Sequence, residues 1–81
     1  MNDSDIRAGV LGAIQGIAPE VDASTLDPAR RLRDQVDLDS MDWLNVIVGL
    51  HERFGIEIPE ADYALLATLD AIAAYLRDRL G

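Results

Sequence analysis

Ser40 lies within an acidic stretch, Asp37-Leu38-Asp39-Ser40-Met41-Asp42, where two kinds of site chemistry come into question. The first is nucleophilic catalysis, which needs a base within hydrogen-bonding reach of the hydroxyl. The one histidine, His51, follows eleven residues later. On a shared helix that is roughly 16 Å away, at about 1.5 Å per residue. The strand-turn-helix elbow that exposes a hydrolase serine is also absent from the pattern. The second is cation binding, because acids stand at the first and third places of a calcium loop. Met41 then occupies the fifth place, Asp42 the sixth where glycine is needed, and Val48 the twelfth where glutamate is needed. A lone histidine among scattered carboxylates makes no transition-metal site either. The residues thus predict neither a catalytic nor a metal site, but a solvated acidic cap at the start of a helix.

The element that positions Ser40 is that helix, predicted over about Ser40–Phe54 and ended by Gly55 at its C′ position. Trp43, Val46, Ile47, Leu50 and Phe54 recur at spacings of three to four and predict a core-facing stripe. Met41, Leu44 and Val48 fall on a neighbouring face at the same spacing. A helix apolar around so much of its circumference is either buried on several sides or presents a docking stripe to other proteins. The second reading is adopted here, with Asp42, Asn45 and Glu52 flanking the stripe.

Three further segments complete the layout. Ile6, Val10, Ile14 and Ile17 mark an amphipathic helix over 3–17, with Asp3 or Ser4 as its cap and Pro19 beyond its end. Gly9, Gly12 and Gly16 weaken its intrinsic propensity and permit close approach of a neighbour. From Ala18 to Asp39 turn residues alternate with anchors at Val21, Leu26, Leu32, Val36 and Leu38, so this long connection is predicted to pack over the core. After the extended Ile56-Glu57-Ile58-Pro59, residues 60–66 predict a short helix. Thr68 caps a last one, with Leu69, Ile72, Leu76 and Leu80 buried and Ala73 beside them. The fold class is all-α: a small four-helix bundle of three main helices plus a short third one, with a long first loop, in a single domain over 1–81.

Composition narrows the partners. Fifteen acidic residues face seven arginines and no lysine, a formal net charge of −8 on 81 residues. Such a chain repels nucleic-acid phosphates and anionic membrane surfaces and suits proteins with basic patches. Without cysteine there are no disulfides and no thiolate nucleophile. No apolar run approaches the roughly 18 residues of a membrane span, and the interrupted, acidic N-terminus is unlike a secretory signal. The expectation is a cytoplasmic monomer.

Three blocks of residues resemble the acyl carrier proteins. Asp39-Ser40-Met41-Asp42 is similar to the family's D-S-L attachment motif, at the junction of a long loop and the second main helix. Phe54-Gly55-Ile56-Glu57-Ile58-Pro59-Glu60-Ala61-Asp62 resembles its F-x-I-x-I-P-x-x-D stretch, and Thr68-Leu69-Asp70-Ala71-Ile72 the start of its last helix. The resemblance implies that Ser40 accepts 4'-phosphopantetheine from coenzyme A through a separate phosphopantetheinyl transferase that uses Asp39 in recognising the site. It implies a non-catalytic carrier that holds acyl groups as thioesters and delivers them to loading, acyl-transfer or condensing enzymes. An aliphatic cargo is expected to part the helices near Ile47, Leu50 and Ile72.

Departures from the family pattern qualify the pathway. Asp37 stands where glycine is frequent, Met41 replaces leucine, and Asn45 and His51 stand where glutamate is usual. A milder charge on this helix favours a dedicated pathway over general fatty acid synthesis. The alternatives are a peptidyl or aminoacyl carrier, whose usual G-G before the serine is Leu38-Asp39 here, and an unmodified helical interaction module.

Overall fold

The computed structural model describes residues 2–80, so the expected domain bounds reach two residues, Met1 and Gly81, that lie outside it. Its main helices are α1 (Asp3–Ile17), α3 (Ser40–Phe54) and α4 (Leu69–Leu80). A four-residue helix, α2 (Leu32–Gln35), interrupts the long first connection. The predicted short helix forms as a 3-10 segment, Glu60–Leu65. Among the described residues the only β-pairing is an isolated bridge between Arg31 and Thr68.

Periodicity decides which faces are buried. Ile6, Val10 and Ile14 of α1, Val46 and Leu50 of α3, and Ile72 and Leu76 of α4 are all 0% exposed and share one cluster with Leu32 and Leu66. α1 is the central element and packs on both α3 and α4. Its glycines serve that approach unequally. A Cβ on Gly9 would meet the Phe54 ring at 2.6 Å, whereas one on Gly16 would meet nothing within 4 Å. Gly16→Ala is therefore expected to stabilise the fold by about 0.5–1 kcal/mol, through helix propensity alone. Gly9→Ala is expected to destabilise it by about 1 kcal/mol, because overpacking outweighs the same propensity gain. Paired urea melts check the opposite signs.

α4 runs antiparallel to α1, and ion pairs record the register. Asp3 pairs with Arg77 at 2.7 Å, and Arg7 pairs with Asp70 at 2.8 Å. The Arg7 hydrogen bond, helped by the charge of Arg77, holds the Asp3 carboxyl below the usual carboxylate range. This register explains one correction to the predicted stripe. Leu80 lies three residues beyond Arg77, past the first residue of α1, so it is 37% exposed instead of buried. Tyr75, absent from the predicted stripe, is buried in its place. Its hydroxyl donates to Asp62 at 2.7 Å, and the Arg79 guanidinium stacks 3.9 Å from its ring centroid. Burial, then the Asp62 contact, pushes the Tyr75 phenol upward.

The cap of α1 is also one residue earlier than predicted. Asn2, not Asp3 or Ser4, accepts the Asp5 N–H at 2.8 Å, leaving Asp3 free for its arginines. The long connection is packed, as its anchors predicted. Ala18, Val36 and Leu38 form a second small cluster, tied to the main one through Ile17, Val21, Leu26 and Trp43. Two backbone bonds fasten this connection to the start of α4, Leu32 N–H to Ala67 O at 2.9 Å and Asp70 N–H to Pro28 O at 3.0 Å.

Candidate functional site

Ser40 is exposed and is the first residue of α3. Asp39 before it is extended, with φ −79° and ψ −179°, and its carboxylate accepts the Asp42 N–H at 2.7 Å. Its carbonyl accepts the Trp43 N–H at 2.9 Å. Asp39 thus caps the helix, which fixes where Ser40 sits. The backbone N–H groups of Ser40 and Met41 keep no partner among the described residues, as expected of a first helical turn. Two free donors and the positive end of the helix dipole favour an anion at this position, against the opposing charges of Asp39 and Asp42.

The second apolar face of α3 lies at the surface. Met41 is 71% exposed, Leu44 47% and Val48 51%, while the first stripe holds the buried Val46, Ile47 and Leu50. Trp43 and Phe54 are only partly buried against that core. Around the exposed stripe, Asn45 and Glu52 are exposed and Asp42 is half-buried. The six residues expected at the docking face therefore share one side of one helix, next to Ser40.

His51 has a local task that its sequence position did not reveal. Its Nδ1 hydrogen-bonds the Ile56 carbonyl, and its own carbonyl accepts the Gly55 N–H at 2.9 Å. Gly55 is left-handed, φ 65°, which ends α3 and turns the chain into the Ile56–Pro59 connector. Histidine here ties the helix end to the connector, a contact that glutamate, an acceptor only when ionised, cannot make.

A surface groove of about 350 Å³ adjoins the start of α3. Trp43 lines it together with Tyr63, Ala64 and Ala67 and with Arg31, Arg33 and Asp34 of the pinned connection. These residues come from separate segments, so no single motif announces them. The available signal was local charge, Arg30-Arg31-Leu32-Arg33 in an acidic chain. Among the described residues no three acidic or histidine side chains converge as a metal site. Nor is any helix long and apolar enough to cross a membrane.

Comparison with known proteins bears on the family and the fold. The family model described as "Phosphopantetheine attachment site" matches residues 8–76. An acyl carrier protein of Rubrobacter xylanophilus is 32% identical over 73 residues, covering 86% of this chain and 90% of that protein. The meromycolate extension acyl carrier protein of Mycobacterium tuberculosis is 26% identical over 77 residues. That match covers 95% of this chain, which spans 66% of the mycobacterial protein's length. The solution structure of a candidate acyl carrier protein from Anaplasma phagocytophilum superposes with a TM-score of 0.84 at 29% identity, covering 98% of this chain and 92% of that one.

Proposed function

The chain belongs to the acyl carrier protein family, the carriers with a phosphopantetheine attachment site, and we propose that Ser40 bears the arm in a single carrier domain over residues 1–81. Members of this family are carriers, not catalysts, and hold 4'-phosphopantetheine covalently. The observation that supports Ser40 is its position: an exposed hydroxyl opening α3, beside two unpartnered backbone N–H groups. In the transfer, the Ser40 oxygen forms a bond to the phosphorus of coenzyme A that bears the pantetheine. The nucleotide bisphosphate leaves, and the hydroxyl proton passes to a base of the transferase. The bound arm supplies a terminal thiol on which acyl groups travel as thioesters.

The proposed partners are a phosphopantetheinyl transferase and acyl-loading, acyl-transfer or condensing enzymes, docking on Met41, Asp42, Leu44, Asn45, Val48 and Glu52. Asp39 is proposed to serve transferase recognition in addition to its cap. Likeness to carriers named for meromycolate extension supports a lipid pathway, and Asn45 and His51 in place of acids support a dedicated one. The cytoplasm is the proposed location.

Because the chain has no cysteine, thiol titration tests the reading against a zero background. Treatment with coenzyme A and a broad-specificity transferase is expected to raise the thiol count to one per chain. Ser40→Ala is expected to keep it at zero with an unchanged melting curve. A thiol on the Ser40→Ala protein contradicts the assignment.

A further inference from the structure

Three of the chain's seven arginines lie within four residues, Arg30-Arg31-Leu32-Arg33, on a body of net charge −8. Arg7, Arg77 and Arg79 have evident structural work, stitching α1, α4 and the 3-10 segment through Asp3, Asp70 and Asp62. The 30–33 cluster is different. Arg31 engages Asp34 through Nε alone, at 3.1 Å, and Arg30 and Arg33 form no ion pair among the described residues. The cluster is nevertheless held in place. Leu32 at its centre is 0% exposed, and its N–H is bonded to Ala67 O at 2.9 Å.

Arg31 and Arg33 line the 350 Å³ groove together with Trp43 and Tyr63, so one surface combines aromatic area with guanidinium groups that retain free donors. Trp43 is three residues after Ser40 on the same helix, about 4.5 Å along its axis at 1.5 Å per residue. The groove therefore lies within reach of a flexible chain tethered to Ser40. We propose that it receives the distal carboxylate of an acyl group carried on Ser40, so that the cargo is an ω-carboxyacyl chain and not a plain alkyl one. This rests on the assignment of the arm to Ser40.

Charge complementarity selects the occupant. A planar guanidinium pairs with a carboxylate through two parallel hydrogen bonds, while Trp43 and Tyr63 offer apolar area to the intervening methylenes. An exposed ion pair is weak for free molecules, but tethering makes the contact intramolecular and raises its effective concentration. Asp34 also lines the groove and offsets one arginine, so Arg31 and Arg33 together leave it one net positive charge.

Trp43 is the only tryptophan, so its emission and indole N–H resonance report on the groove. The protein is loaded by transferase with adipoyl-, hexanoyl- or unacylated phosphopantetheine, and each sample is weighed by mass spectrometry first. The adipoyl form is expected to shift the Trp43 signals and the Arg33 Nε–H resonance, and the other two are not. Arg33→Gln is expected to lower the docked-to-free ratio about threefold, the scale of one exposed ion pair. Arg31→Gln with Arg33→Gln is expected to abolish the shift, as added salt weakens it. Equal shifts with hexanoyl, a full shift in the unacylated form, survival of the shift in the double variant, or changes confined to Ile47, Leu50 and Ile72 each overturn the inference. A correctly loaded adipoyl sample with silent Trp43 overturns it alone. Absence of any load on Ser40 overturns the attachment assignment with it.

Discussion

Leu50→Ala is expected to remove 2–5 kcal/mol of stability, about the range for truncating a fully buried leucine. Leu50 is 0% exposed, on the stripe of α3 that packs against α1, and belongs to the main core cluster. At 0.05–0.15 kcal/mol per residue, a chain of this length has about 4–12 kcal/mol in total. The loss is thus a large share of what holds the fold. At about 4–8 °C per kcal/mol for small domains, the melting temperature should fall by about 8–40 °C. Circular dichroism against temperature measures it. A near-native melt would mean that Leu50 does not carry the α1–α3 packing.

Leu44→Ala is expected to do the reverse, leaving the melt nearly intact and weakening partner binding by about tenfold, the level of an interface anchor. Leu44 is 47% exposed between Met41 and Val48 on the face next to Ser40, so truncating it opens no core cavity. Asp42→Asn should cost less and act mainly on the association rate and its salt dependence, because rim charges steer encounter more than they hold a complex. The transferase's KM for the unmodified chain, measured beside the melting curve, gives both readouts. A collapsed melt in Leu44→Ala would return that residue to the core. An effect of Asp42→Asn larger than that of Leu44→Ala would mean that charge, not the apolar stripe, governs docking. Asn45→Glu is the cleaner way to restore an acidic contact, since replacing His51 also breaks its bond to the Ile56 carbonyl.

These contrasting effects trace back to what a linear pattern encodes. The helix spans were legible because hydrophobic spacing, Pro19 and Gly55 mark where a helix can and cannot continue. Ser40 was legible because its acidic neighbours, its place at the head of a helix and two downstream blocks agree. Periodicity gave the two apolar stripes of α3, and the one read as a docking stripe, Met41, Leu44 and Val48, is the one that meets water. That depended on α1 approaching only one of them.

Other features depend on how far one helix overlaps another. Leu80 fits the α4 stripe, yet α1 starts too late to cover it. Tyr75 is drawn inward because Asp62, thirteen residues away, gives its hydroxyl a partner. The contact of His51 with Ile56 requires the left-handed turn at Gly55, a tertiary consequence of a local signal. The groove beside Trp43 is the strongest case. Arg31, Trp43 and Tyr63 lie far apart in sequence and meet only because Leu32 is pinned to Ala67.

The central assignment is tested most directly by locating the modification. After reaction with coenzyme A and a transferase, intact mass should show a single added phosphopantetheinyl group. Fragmentation of the peptide spanning Asp39–Asp42 should then place that group on Ser40. Addition at Ser4, Ser24, Thr25 or Thr68 instead, or a modified Ser40→Ala protein, would contradict the account.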